Sequence, residues 1–140
     1  MSGSSATVVP DASVILKWVL DAEDEPGHAA ASQLLERWQR RELSLAVPSL
    51  WLYEVGNVLC LKRPADAGEA LAALCDLGLR EVPLSREVVQ RIVALALKHG
   101  ITFYDASYLA VAEDRKAILV TADSKFYRRL PADLAVELLV

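Results

Sequence analysis

Thr7–Leu20 reads TVVPDASVILKWVL, and the rest of the chain is organised around it. Thr7 to Val9 is a run of β-branched residues too brief for a helix and suited to a buried strand. Pro10-Asp11-Ala12-Ser13 follows, then an apolar segment from Val14 to Leu20 broken only by Lys17. The order is strand, turn, helix, with Asp11 where the strand delivers the chain to the helix. In an open parallel sheet the carboxyl edge of the strands is where sites form. What decides the function is whether other acidic residues arrive at that edge.

Working outward, Asp21 to Pro26 is acidic and turn-like, and His28 to Arg41 reads as an amphipathic helix. Its Leu34, Leu35 and Trp38 face inward, and Arg37, Arg40 and Arg41 form a solvated face. Leu43 to Val47 is a second strand. Pro48-Ser49 opens a helix from Leu50 to Leu61 with Ser49 as its N-cap, and Pro64 forces a break near Lys62-Arg63. Ala65 to Asp76 is a helix ended by Gly78, and Arg80 to Pro83 a third strand. Ser85 caps a helix that runs to Lys98 and stops at His99-Gly100. Tyr104 to Glu113 is helical, Ala117 to Thr121 (AILVT) is the clearest buried strand, Asp123 to Arg129 is a helical turn and Leu134 to Leu138 a last strand. Strands alternating with helices specify an α/β fold with a parallel sheet.

A chain of 140 residues is one domain's length and can bury a real core. We take residues 1–140 as a single domain, with Met1 to Ser5 a frayed tail that lacks the features of a signal peptide. No apolar run reaches the ~18 residues that span a bilayer, so the reading is a cytoplasmic protein without a membrane partner. Cys60 and Cys75 sit in apolar helical patterns and read as buried thiols, and His28 and His99 as surface or helix-end residues. The 19 acidic residues exceed the 15 basic ones by four. Four carboxylates gathered at one place would account for the whole imbalance.

Four candidates stand out. Asp11 follows the first strand, Asp123 follows the AILVT strand, and Asp105 lies between the Ile101-Thr102-Phe103 loop and the next helix. Each of these, alone, reads as a helix cap. Glu54 is different, because Leu50 to Leu61 (LWLYEVGNVLCL) is apolar nearly all round and the helix should be largely buried. Only Glu54 and Asn57 are strongly polar there, and their i, i+3 spacing puts them on one face. An isolated buried carboxylate costs several kcal/mol unless paired or metal-bound. A salt bridge to a core arginine is one solution; a polar site shared with the aspartates explains Glu54 and Asn57 together. Carboxylates without a His or Cys cluster suit a hard ion, Mg²⁺ or Mn²⁺, rather than zinc. Such a site suits phosphodiester hydrolysis, and without the ion mutual repulsion raises some of the carboxyl pKa values.

The stretches VVPDASVILKW, YEVGNVL, TFYDASYLAVA and LVTADSKF, in that order, resemble the PIN-domain nucleases, most closely the VapC type. The likeness runs from about Thr7 to Val140. It implies a three-layer α/β/α sandwich around a central parallel sheet of about five strands. It also implies metal-dependent cleavage of RNA, commonly leaving a 5′-phosphate and a 3′-hydroxyl. Asp11, Glu54, Asp105 and Asp123 become the catalytic, metal-binding set, with Ser13, Asn57 and Thr121 as supporting polar positions. The resemblance further implies a homodimer and a small antitoxin, which an arginine entering the acidic pocket would let block the site. RNA needs a basic rim, for which Lys17, Lys62, Arg63, Lys125, Arg128 and Arg129 are the candidates. Trp18, Trp51 and Tyr53 read as core or dimer contacts. Two other functions keep the same fold class: a binding-only module of this family, and a phosphoacceptor receiver domain, although that fold uses paired acids after its first strand.

Overall fold

The computed structural model describes residues 6–20 and 26–140. The Met1 to Ser5 tail and all but Pro26 of the acidic turn lie outside the described residues. Within them, β1 (Thr7–Pro10), β2 (Ser44–Pro48), β3 (Arg80–Val82), β4 (Ile118–Thr121) and β5 (Val136–Leu138) form one sheet. Its spatial order is β3-β2-β1-β4-β5, and every neighbouring pair is parallel. The helices are α1 (Ala12–Lys17), α2 (His28–Gln39), α3 (Trp51–Lys62), α4 (Ala67–Asp76), α5 (Arg86–His99), α6 (Phe103–Asp114) and α7 (Ser124–Arg128).

The layers follow from the connections. From β1 the chain steps outward to β2 and then β3, crossing through α1 to α4. It returns past β1 through α5 and α6 to reach β4, and α7 leads on to β5. Right-handed crossovers that run in opposite directions must lie on opposite faces of a sheet. The result is the expected α/β/α sandwich, with α6 lying across β1, β2 and β4 and packed along α5, while α1 packs with α2 and α3. The order also differs from the 2-1-3-4-5 arrangement of receiver domains, which removes that reading.

Burial tracks position in the sheet. Val9, Val47 and Leu119 are fully buried in the three inner strands, as expected of parallel strands covered on both faces. Each such side chain contributes roughly 1.5–3 kcal/mol by leaving water. The edge strands β3 and β5 have three residues each and remain partly exposed. Pro10 and Pro48 end β1 and β2, where a missing N–H costs the ladder least.

Helix ends match local chemistry. The Ser85 hydroxyl accepts from the Val88 amide at 3.2 Å at the start of α5, and Gly100 closes that helix at φ +63°. His28 begins α2 and His99 ends α5, as read from sequence. Four expectations are corrected. Ser49 does not cap α3; Leu50 holds that position without a side-chain bond. Asp105 does not cap α6, because the Thr102 hydroxyl does, accepting from the Asp105 amide at 3.0 Å. Finally, α3 is buried only along Trp51, Val55 and Leu59, spaced by four. Its outer side is open among the described residues, with Tyr53 and Leu61 exposed, and the thiols of Cys60 and Cys75 are exposed rather than buried.

Candidate active site

The strand order reverses direction between β1 and β4, and the crevice beyond their carboxyl ends is the expected place for a site. Asp11 leaves β1 and Asp123 leaves β4 at that edge. The β1–β4 register sets Pro10 opposite Val120, and the Asp11 amide continues the ladder to the Val120 carbonyl at 3.0 Å. The next residue on β4 is therefore Thr121, brought beside Asp11 and Ser13.

A hydrogen-bond chain ties these groups together. The Ser13 hydroxyl donates to Asp11 Oδ1 and lies 3.3 Å from Thr121 Oγ1. Ser13 Oγ accepts from the Ala122 amide at 2.8 Å, and Thr121 Oγ1 accepts from the Asp123 amide at 3.0 Å. Asp11 and Thr121 are both buried, at 4% and 0% exposure. Both aspartates also serve as caps. Asp11 Oδ1 accepts from the Val14 amide at 3.3 Å, and Asp123 Oδ1 from the amides of Lys125 and Phe126 at 2.9 and 3.1 Å. The capping role and membership of the acidic edge are thus compatible.

Glu54 and Asp105 come from helices. Asp105 sits in the first turn of α6, where a negative charge is favoured by the helix dipole. Glu54 is half-buried on α3, and its Oε1 accepts a 2.9 Å hydrogen bond from the Tyr108 hydroxyl. Among the described residues no arginine forms an ion pair with it. Tyr108 is fully buried on α6, one turn beyond Asp105.

The carboxylates share one electrostatic field with Asp105 as common neighbour. Burial pushes the Asp11 carboxyl up to about 7, against the bonds from Ser13, Thr121 and the Val14 amide, and the Asp105 charge adds to the rise. Burial likewise raises Glu54, opposed by the Tyr108 bond and assisted by Asp105. Asp105 is raised by burial and by the Asp123 charge, with the Thr102 hydroxyl opposing. The Tyr108 phenol is held well above its ordinary range by burial and by Glu54, Asp11 and Asp105, so it remains a donor.

The other sequence candidates separate. Asn57 is exposed and takes no part in the hydrogen bonds that hold the carboxylates. Lys125 and Arg129 line a cleft of about 470 Å³ together with Asp105 and Asp123. Arg129 also donates to the Gly100 carbonyl at 2.9 Å. Arg63 pairs with Asp66 at 2.8 Å beside a different hollow, Lys62 is exposed at the end of α3, and Arg128 lines a third hollow beside Leu130 and Leu134. Lys17 ends α1, half-buried and engaged. Trp51 is core, donating from its indole to Glu81 at 2.6 Å, and Trp18 packs against the core, whereas Tyr53 is exposed. Sequence reasoning passed over Tyr108, which reads as one more core aromatic. The usable signal was its place one turn from Asp105 in an otherwise small and apolar stretch.

The family model described as PIN domain matches residues 8–129. The chain belongs to the PIN-domain family. Among curated relatives it is 35% identical over 133 residues to ribonuclease VapC3 of Pyrobaculum aerophilum, covering 89% of this chain and 95% of that protein. It is 32% identical over 110 residues to exonuclease VapC9 of the same organism, covering 75% and 81%. Among solved structures, a toxin–antitoxin complex from Klebsiella pneumoniae aligns with TM-score 0.67 at 20% identity, covering 92% of this chain and 94% of that one. No helix among the described residues is long and apolar enough to cross a membrane.

A divalent cation fits the chemistry of this PIN domain's acidic edge. The donors are all hard carboxylate oxygens, and their mutual repulsion and burial favour a compensating positive charge. Among the described residues no group of three or more His, Cys, Asp or Glu side chains stands close enough together to hold an ion as placed.

Proposed function

We infer that this chain hydrolyses RNA phosphodiester bonds as the toxin member of a VapC-type toxin–antitoxin pair, using Mg²⁺ or Mn²⁺ held by Asp11, Glu54, Asp105 and Asp123. One observation carries the reading: four carboxylates from four separate segments share one field at the point where the sheet changes direction. The ribonuclease named among its relatives supports RNA as the substrate.

A cation held by these carboxylates would supply Lewis-acid chemistry: polarisation of a phosphate oxygen, a more acidic water and compensation of charge on the departing oxygen. The chain's own residues supply the framework. Ser13 and Thr121 fix the Asp11 carboxylate, and Tyr108 fixes Glu54. Unneutralised, the four acids repel phosphate. Lys125 and Arg129, on the same cleft as Asp105 and Asp123, give the backbone of the approaching RNA a cationic partner. The remaining basic candidates stand apart and act, if at all, on more distant phosphates.

A cytoplasmic antitoxin partner belongs to the same reading. An arginine from it would enter the acidic cleft, supplying positive charge and paired hydrogen bonds. A homodimer would cover part of the outer side of α3, where Tyr53 and Leu61 are 74% and 75% exposed.

The test is purified protein with Mg²⁺ or Mn²⁺ on linear and circularised RNA, beside Asp11→Asn and a chelator control. Cleavage of the circle is expected, since a circle has no end to start from. Circles left whole while linear RNA is trimmed would assign end-directed cleavage, the mode named for VapC9. Cleavage that survives chelation, or is unchanged in Asp11→Asn, would overturn this site.

A further inference from the structure

Glu54 has a structural problem that the three aspartates do not share. Asp11 and Asp123 are short side chains anchored by amides at the ends of two inner strands, and Asp105 lies in a capped first turn. Glu54 is longer and projects from a helix with only one buried stripe. Holding a glutamate in one geometry costs side-chain entropy that the surroundings must offset. Its one side-chain hydrogen-bond partner among the described residues is the Tyr108 hydroxyl, at 2.9 Å.

We propose that Tyr108 is a positioning residue for the metal centre: its buried hydroxyl holds Glu54 toward Asp105, so that α6 supplies both one carboxylate and the strut for another. Three observations support this. Tyr108 is fully buried, so its ring is fixed by the core and cannot follow Glu54 outward. It stands three residues after Asp105, which puts hydroxyl and carboxylate on one side of α6. The neighbouring hydroxyl of Ser107 is committed to the Tyr104 carbonyl at 2.6 Å and is not an alternative partner. By donating to Oε1, Tyr108 ties the Glu54 carboxylate to the fixed ring of a core residue. Groups that orient ligating carboxylates in this way commonly set metal affinity or activity by ~10–100-fold.

The inference rests on the metal-dependent reading above, and the experiment separates the two. Wild type, Tyr108→Phe, Glu54→Gln, their double variant and Asp11→Asn are titrated with Mn²⁺ alone, by calorimetry or spin resonance, and then assayed on RNA for kcat and KM. Tyr108→Phe is expected to remain folded, to bind Mn²⁺ ~10-fold more weakly, and to lose a similar factor in kcat with KM for RNA unchanged. Raising Mn²⁺ should recover part of the lost kcat. In the Glu54→Gln background the further change to Phe should alter Mn²⁺ affinity little, because there is no longer a ligand to orient. Wild-type Mn²⁺ affinity in Tyr108→Phe overturns the proposal, and so does a Tyr108→Phe chain that fails to fold, since the hydroxyl's part would then be structural. If Glu54→Gln and Asp11→Asn also bind Mn²⁺ normally, it is the metal-centre reading that has failed.

Discussion

The acidic edge has two halves built by different means. The strand half, Asp11 with Ser13, Thr121 and Asp123, is fixed by the register between two inner strands and knitted by short-range hydrogen bonds. The helix half, Glu54 and Asp105, depends on how α3 and α6 pack, with one bond between side chains across them. Register has no intermediate settings, because a slip of one residue reverses every side chain. Helix packing is more permissive. The first half is therefore a rigid base, and the second is where adjustment to a cation or substrate would fall.

The largest expected effect comes from breaking the rigid half at Asp11. Asp11→Asn should lower RNA cleavage by roughly 10²–10³-fold, the scale of removing a central electrostatic stabiliser. The same change should help the cation-free fold. The native Asp11 carboxyl titrates near 7 and the unfolded one near 3.8, so between those values the folded state binds more protons. Stability from this group is thus fullest at low pH and is lost as pH rises through the window, by up to roughly 4 kcal/mol. Thermal melts without metal should show that decline, added Mn²⁺ should reduce it, and Asp11→Asn should flatten it.

Next in size is a direct contrast between the halves. Thr121→Val keeps shape but leaves the part-buried Asp123 amide without its acceptor and takes a hydroxyl away from Ser13 and Asp11. Denaturant titration should show a loss of ~1–3 kcal/mol. Thr102→Ala removes the α6 cap at an exposed position and should cost nearer 1 kcal/mol. Equal losses would mean that the two halves are held with equal firmness.

The smallest effects concern the rim. Lys125→Ala and Arg129→Ala should each raise KM for RNA a few-fold and reduce the salt dependence of binding by about one counterion. Arg128→Ala, facing a different hollow, should leave both unchanged.

The same contrast explains what could be read from the sequence. Asp11 and Asp123 were legible because each follows an apolar, β-branched run, a pattern that fixes both the strand and its end. Glu54 was legible as the one acid in an apolar helix. Which strands are neighbours is set by long-range pairing, so the Asp11–Ser13–Thr121 chain could be anticipated only from the family motif. Tyr108 was missed because a buried aromatic looks the same whether or not its hydroxyl has a task. Asn57 was overvalued for the opposite reason: i, i+3 spacing shows that two residues share a side of a helix, not that both reach the same place. Cys60 and Cys75 show that apolar patterning runs one way only, since many apolar groups stay at the surface.

The capping duty of Asp11 and Asp123 bears on how a silenced form of this protein should be made. They hold the starts of helices six and five residues long, too short to persist without help. Alanine at either position would remove a cap worth about 1 kcal/mol and fray the edge that carries the carboxylates. Asparagine keeps the acceptor oxygen and discards only the charge, so a bait prepared that way would present an intact face.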